Sequence, residues 1–254
     1  MDAYTGFAGV YDLFMEDVPY KSWSRWLGEL LTDYGIKDGL VLDLGCGTGV
    51  MTELLAEAGY DMIGIDRSEE MLEAALEKRD QSGHEILYLC QDMREFELYG
   101  TVRAIISVCD SMNYILEEEG VLQILTAAAR DYLDYGGLFV FDLNTEYKYR
   151  ELLGEQTIAE NRDEGSFIWE NFYDEETMIN EYDLTLFIRE DSGYYKKYEE
   201  THYQRAYTFD TVRRLVKQSG LELLHLYDAY TREPAEEDSE RICVVCRRMP
   251  DSGG

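Results

Sequence analysis

Val41-Leu42-Asp43-Leu44-Gly45-Cys46-Gly47-Thr48-Gly49 decides the fold of this chain. An apolar run ending beside an acid gives a short buried strand, and three glycines at alternate positions give a tight turn. Val50-Met51-Thr52-Glu53-Leu54-Leu55-Ala56 then opens an amphipathic helix. Glycine has no Cβ, so it can take positive φ and let a ligand lie against the main chain. The helix start that follows offers N–H groups with no partner inside the helix. Strand, glycine turn and helix together predict a nucleotide-like ligand.

Two details narrow the ligand. The dinucleotide fingerprint is G-x-G-x-x-G, and here the third glycine comes one residue early. Asp43 also puts negative charge beside the loop, which repels a pyrophosphate and attracts an ammonium or sulfonium group. A second apolar strand, Asp61-Met62-Ile63-Gly64-Ile65-Asp66, ends in an acid about 20 residues beyond the first glycine, where a carboxylate can accept from two ribose hydroxyls. Ser68 then caps a helix whose first turn holds Glu69 and Glu70, with Met71, Leu72, Ala75 and Leu76 as its apolar stripe. A third strand, Ile86-Leu87-Tyr88-Leu89-Cys90, leads into Gln91-Asp92-Met93. Any one strand-end acid can be a cap or turn residue; three in register after a glycine loop describe one site.

On these residues the chain resembles the class I S-adenosylmethionine (SAM)-dependent methyltransferases. The resemblance implies an α/β, doubly wound, mostly parallel seven-stranded Rossmann-like sheet, with SAM as cofactor and S-adenosylhomocysteine (SAH) as product. It implies a cofactor set of Asp43, Gly45, Cys46, Gly47, Thr48, Gly49, Asp66, Arg67, Met71, Asp92, Met93 and Cys109. Asp92 would accept from the adenine amino group and Met93 flank the ring. Arg103 stands where the family usually has an acid, at a position more structural than catalytic.

Length and composition agree with this reading. A chain of 254 residues with 45% hydrophobic content can bury a full core. No run of 18 apolar residues is present, so no membrane span is expected. Met1-Asp2-Ala3-Tyr4 shows no basic segment followed by an apolar one, so no secretory signal is expected either. Five cysteines, an odd number, suit a reducing, cytoplasmic setting. Cys243 and Cys246 form a C-x-x-C inside a strand, where residues three apart face opposite sides, so neither a metal nor a redox pair is expected. The net charge of −30, from 23 Lys+Arg against 53 Asp+Glu, argues against nucleic acid and anionic membranes as partners. It suits cationic small molecules, although solubility alone also accounts for it. A monomer or a dimer is expected.

Outward from the motif, the chain divides into a core over residues 1–150 and 206–248, an inserted antiparallel β lid over 151–205, and a tail over 249–254. An aromatic lead-in from Tyr4 to Tyr20 precedes a helix marked by Trp23, Trp26, Leu27, Leu30 and Leu31 and ending near Gly35. In related methyltransferases this lead-in covers the cofactor, which adds Tyr11 to the cofactor set; sealing the core would serve equally to explain its aromatics. A fourth strand, Ala104–Val108, runs into Cys109-Asp110-Ser111-Met112-Asn113-Tyr114, where the family's acceptor contacts begin. A helix from Val121 to Tyr132 and a Gly136-Gly137 link lead to a fifth strand, Leu138–Leu143. From about Thr157 to Arg205 the pattern changes to period two: Tyr182, Leu184, Leu186 and Ile188 share one face, with Glu181, Asp183, Thr185 and Arg189 on the other. Asp191-Ser192-Gly193 reads as the hairpin turn of that lid. A helix at Asp210–Ser219 and strands at Leu221–Tyr227 and Ile242–Arg247 complete the sheet.

Methyl transfer asks mainly for alignment, because a sulfonium is already a good leaving group. A base is needed only where the acceptor must lose a proton. His202 with Tyr203 on a lid strand, and Asn113 at a strand end, are the candidate catalytic residues, although a lone histidine is more often a structural hydrogen-bonder. The expected partner is a small-molecule methyl acceptor under the lid. A protein or RNA acceptor, a SAM-binding sensor without turnover, and an NAD-linked oxidoreductase are the alternatives weighed.

Overall fold

A computed structural model describes residues 11–12, 14–190 and 192–250. Residues 4–10 of the lead-in, Asp191 of the hairpin turn and 251–254 of the tail lie outside the described residues. The glycine stretch folds as its residues dictate. Strand β1 (Leu40–Leu44) enters the turn and helix α2 (Val50–Glu57) leaves it, preceded by α1 (Tyr20–Asp33). The alternation continues through β2 (Asp61–Asp66), α3 (Glu69–Ser82), β3 (Leu87–Cys90), β4 (Val102–Ser107), α4 (Glu118–Ala127) and β5 (Leu133–Asn144). After the inserted segment come α5 (Phe209–Ser219), β10 (Leu221–Asp228) and β11 (Arg241–Arg248).

The seven strands lie in the order β10-β11-β5-β4-β1-β2-β3. β1 through β5 pair in parallel, while β11 runs antiparallel to both β5 and β10. Strand parity splits the core in two. Leu42, Leu44, Ile63, Ile65, Ile105, Phe139 and Phe141 pack with residues of α4 and α5, while Val41, Met62, Ala104, Ile106, Leu138 and Val140 pack with α1 and α2. The sheet is thus covered on both faces, as a parallel sheet of apolar strands requires. Cys243 and Cys246 fall in different core clusters, one on each face of β11.

β5 differs from its expected start. Gly136-Gly137 does not precede the strand but sits within it. Leu133 pairs with Val102 and Leu138 with Ala104, so the residues between bulge, with Gly136 at φ +80°.

The insertion forms a separate antiparallel sheet in the order β6-β7-β8-β9: Thr157–Asn161, Gly165–Asp174, Ile179–Arg189 and Tyr195–Arg205. Its inward face buries Asn171, Asn180, Leu186, Glu200, His202 and Gln204, and its outward face exposes Ile168, Phe172 and Tyr203. Tyr207, just beyond it, belongs to the main core, where its hydroxyl donates to the Ile115 carbonyl. Among the described residues no helix is long and apolar enough to cross a membrane.

Candidate functional site

The ends of β1, β2, β3 and β4 open onto one cleft. It is lined by Tyr11, Asp43, Gly45, Cys46, Gly47, Thr48, Asp66, Arg67, Met71, Asp92, Met93 and Cys109, so the expected set converges with one exception. Gly49 stands back from the cleft. It starts α2 in a left-handed conformation, φ +77°, and packs against Tyr88 and Ala75, where any Cβ would collide.

Burial governs the chemistry of Asp43, which is 1% exposed. Its Oδ2 accepts from the Thr52 hydroxyl at 2.7 Å, while its Oδ1 is buried with no hydrogen-bond partner among the described residues. Loss of solvent pushes its carboxyl up to about 7 against the opposing Thr52 hydrogen bond. A buried oxygen left without a donor is costly, and a cationic group entering the cleft removes that cost. The residues present therefore fit a cofactor with a positively charged end.

Asp66 has a structural task as well. Its two oxygens accept from the Gly47 and Ser68 N–H groups, each at 2.9 Å, tying the end of β2 to the glycine turn. Burial raises its pKa, and those N–H donors act against the rise. Asp92 is held by Arg94, whose guanidinium and backbone N–H both donate to it and keep its carboxyl below the usual range. Gly47, at φ +53°, has open space where a Cβ would stand, whereas a Cβ at Gly45 would lie 2.7 Å from Ser111 Cβ. The lead-in is fastened to the loop: Asp12 accepts from the Thr48 hydroxyl at 2.6 Å and pairs with Lys78 at 2.5 Å. Tyr11 and Tyr20 close the cleft near Cys109, and burial raises the pKa of both phenols.

After β4 the backbone makes two consecutive left-handed residues, Cys109 at φ +58° and Asp110 at φ +54°. Neither is glycine, so the turn is strained, as backbone at functional sites often is. Asp142 holds it by accepting from both N–H groups at 3.1 and 2.7 Å, and Arg241 bridges Asp142 and Asp110 at 2.8 and 2.6 Å. The second sheet docks on this turn, with Gln204 donating to Asp110 at 2.6 Å and Tyr149 donating to Gln204 at 2.9 Å.

The three expected catalytic residues part company. His202 is buried, with Nε2 3.1 Å from Glu200 Oε2 and Nδ1 3.1 Å from the Tyr114 hydroxyl. Tyr203, its neighbour on β9, points to the opposite face and is 44% exposed. Asn113 is a brace: its amide donates to the Asn144 and Arg205 carbonyls and accepts from the Asn144 N–H. Arg94, Tyr114 and Glu200 were not singled out from the sequence. Tyr114 falls in the quoted strand-end segment, but no local pattern marks it or Glu200.

A family profile described as a methyltransferase domain matches residues 41–137. YqeM of Bacillus subtilis (strain 168), which carries only a provisional methyltransferase designation, is 33% identical over 240 residues, 94% of each chain. The crystal structure of a SAM-dependent methyltransferase from Clostridium acetobutylicum ATCC 824 superposes with a TM-score of 0.87 at 30% identity, covering 98% of this chain and 100% of that one. The sugar N-methyltransferase KedS8 from Streptoalloteichus sp ATCC 53650 shares the fold, with a TM-score of 0.78 at 19% identity over 95% of this chain and 93% of its own. A glycine-turn cleft at the ends of parallel strands, a buried acid fitted to a cation, and relatives matched over nearly their full length agree: the chain belongs to the class I SAM-dependent methyltransferases, with SAM as its methyl donor.

Proposed function

We propose that the strand-end cleft is the SAM site and that the methyl group passes to a small-molecule acceptor held between that cleft and the inserted sheet. Asp43 takes the cationic end of the cofactor on its unpaired Oδ1, and the Gly45–Thr48 main chain gives close approach. Asp66 accepts from the ribose hydroxyls while holding the loop, Arg67 flanks it, and Asp92 and Met93 meet the adenine. Met71, Cys109 and Tyr11 complete the walls. Residues 1–150 and 206–248 act as the cofactor-binding core and 151–205 as its lid.

When bound, SAM supplies a methyl group on a positively charged sulfur, so the donor needs no acid catalysis. The chain's own task is to align the acceptor and exclude water. The observation that carries the small-molecule reading is the polar inner face of the lid. Asn171, Asn180, Glu200, His202 and Gln204 are buried there, and Asn171 Nδ2 and Asn180 Oδ1 have no hydrogen-bond partner among the described residues. Such a face suits a compact polar ligand, as the sugar acceptor in the name of KedS8 illustrates for that protein.

Calorimetric titration with SAM, with NAD as control, tests the cofactor half, and SAH release across a set of small acceptors tests the lid half. Saturable binding of SAM alone followed by turnover is expected. Turnover only with protein or RNA substrates would overturn the small-molecule reading.

A further inference from the structure

Tyr114 belongs to two constellations at once. It lines the cofactor cleft, and its hydroxyl reaches the buried face of the lid, 2.7 Å from the Tyr182 hydroxyl and 3.1 Å from His202 Nδ1. Behind it, His202 Nε2 lies 3.1 Å from Glu200 Oε2, and His202 and Glu200 are 2% and 8% exposed. Tyr182 stacks flat on the imidazole, with ring centroids 4.7 Å apart and 9° between planes, which fixes the ring's orientation.

Donor chemistry sets the direction of each bond. A carboxylate only accepts, so Nε2 carries the imidazole proton toward Glu200 and Nδ1 is left as an acceptor. Tyr114 then donates to Nδ1, and Tyr182 donates to the Tyr114 oxygen. The chain ends in a basic nitrogen, with a carboxylate placed to stabilise the imidazolium that forms when it takes a proton.

We propose that Tyr114, His202 and Glu200 form a path that carries a proton away from an ammonium-bearing small acceptor at the lid end of the cleft. This rests on the methyl-transfer reading above. Tyr114 is the catalytic residue because it touches the acceptor; His202 and Glu200 act through it. The ammonium N–H bond breaks as its proton passes to the Tyr114 oxygen and the Tyr114 proton passes to His202 Nδ1, leaving a neutral amine. The amine lone pair then forms the N–CH3 bond as the bond from methyl to sulfur breaks and its electron pair stays on sulfur. The products are a methylated ammonium, SAH and one proton on His202, which returns to solvent. The amine class follows from proton affinity. An alkylammonium titrates near about 10, as lysine does, within reach of an imidazole. A hydroxyl, which holds its proton far more tightly than an ammonium does, is not.

Two readouts test the path. Imidazole ¹⁵N spectra of the full chain with SAH, with His202→Gln assigning the signal, should show His202 protonated at Nε2 and bare at Nδ1. Tyr114→Phe should shift the Nδ1 resonance. A proton found on Nδ1 overturns the path whether or not an acceptor is in hand. SAH release is then followed with small primary amines and the alcohols of the same skeletons, D-glucosamine with D-glucose among them. Turnover is expected with amines. Tyr114→Phe and His202→Gln should lower kcat at least about 50-fold and Glu200→Gln about tenfold, with SAM affinity unchanged in His202→Gln and Glu200→Gln. Amines methylated at wild-type rates by these variants, or alcohols preferred, would overturn the path and leave the small-molecule reading standing. Silence across the whole set from SAM-saturated protein would overturn the amine assignment and the small-molecule reading together, while the resonance still decides the path.

Discussion

The two sheets bury opposite kinds of surface. The seven-stranded sheet packs Leu, Ile, Val and Phe against helices on both faces. The four-stranded sheet turns Asn171, Asn180, Glu200, His202 and Gln204 inward. Buried apolar area contributes about 25 cal/mol per Å² and needs no partner, whereas a buried polar group destabilises unless something pairs with it. The first sheet therefore serves as scaffold, and the second keeps an arrangement that stability alone would replace with apolar side chains. Where an interior is polar and incompletely paired, a ligand is the natural partner. The strand-end cleft repeats the point on a small scale, since Asp43 is the one acid of β1 and its Oδ1 is buried without a donor among the described residues.

The largest effect expected on the scaffold side is loss of SAM binding in Gly47→Val. The position combines φ +53° with open space that a side chain would fill, and calorimetry should show affinity weakened at least about 100-fold. Retained binding would mean that the cleft does not hold SAM against this turn.

Arg241→Met tests the seam between the two regions. It would leave Asp142 and Asp110 without their shared cation beneath the strained Cys109-Asp110 turn. Removing one partner of such a pair should cost about 3–5 kcal/mol of stability, read by denaturant unfolding. A change under about 1 kcal/mol would show that the turn needs no such brace.

A smaller, graded effect belongs to Asp43. Because burial pushes its carboxyl up to about 7, SAM affinity should rise with pH through that value and level off above it. The ligand-free protein should respond in the opposite sense. Folded Asp43 holds its proton more tightly than the unfolded residue, which titrates near about 3.9. Its contribution to stability is therefore full below the unfolded value and declines as pH rises toward about 7. Asp43→Asn should flatten both profiles, and a pH dependence that survives the substitution would assign it to another group.

The smallest effect is expected for Tyr203→Ala, which removes an exposed ring on the outer face of the inserted sheet and should leave turnover within about twofold. A larger loss would show that the outer face takes part.

Much of the scaffold was legible because its signals are local. An apolar strand, three glycines and a strand-end acid occupy nine consecutive residues, and a strand followed by an acid, without the glycines, recurs at Asp66 and Asp92. The strands of the inserted sheet were legible from their period-two pattern. What escaped was long-range. Tyr114 and His202 meet across 88 positions and Asp110 and Arg241 across 131, and no local pattern pairs them. The Gly136-Gly137 bulge escaped because two glycines read as a turn until the register to β4 is known. Tyr203 and Asn113 are placed apart from His202 for different reasons. Adjacency to His202 is a liability on a strand, where neighbours face apart, and a strand-end asparagine braces backbone as readily as it meets a ligand.

SAM affinity of Asp66→Ala measured beside that of His202→Gln, both by calorimetry on folded protein, tests the division of labour most directly. Asp66→Ala should weaken SAM binding at least about tenfold, about 1.4 kcal/mol, because it removes the carboxylate proposed to accept from the ribose and frees the Gly47 N–H from its tie. His202→Gln should bind SAM within about twofold of the parent, because its proposed work lies on the acceptor side and it does not line the strand-end cleft. Unchanged affinity in Asp66→Ala, or an equal loss in both, would contradict the account.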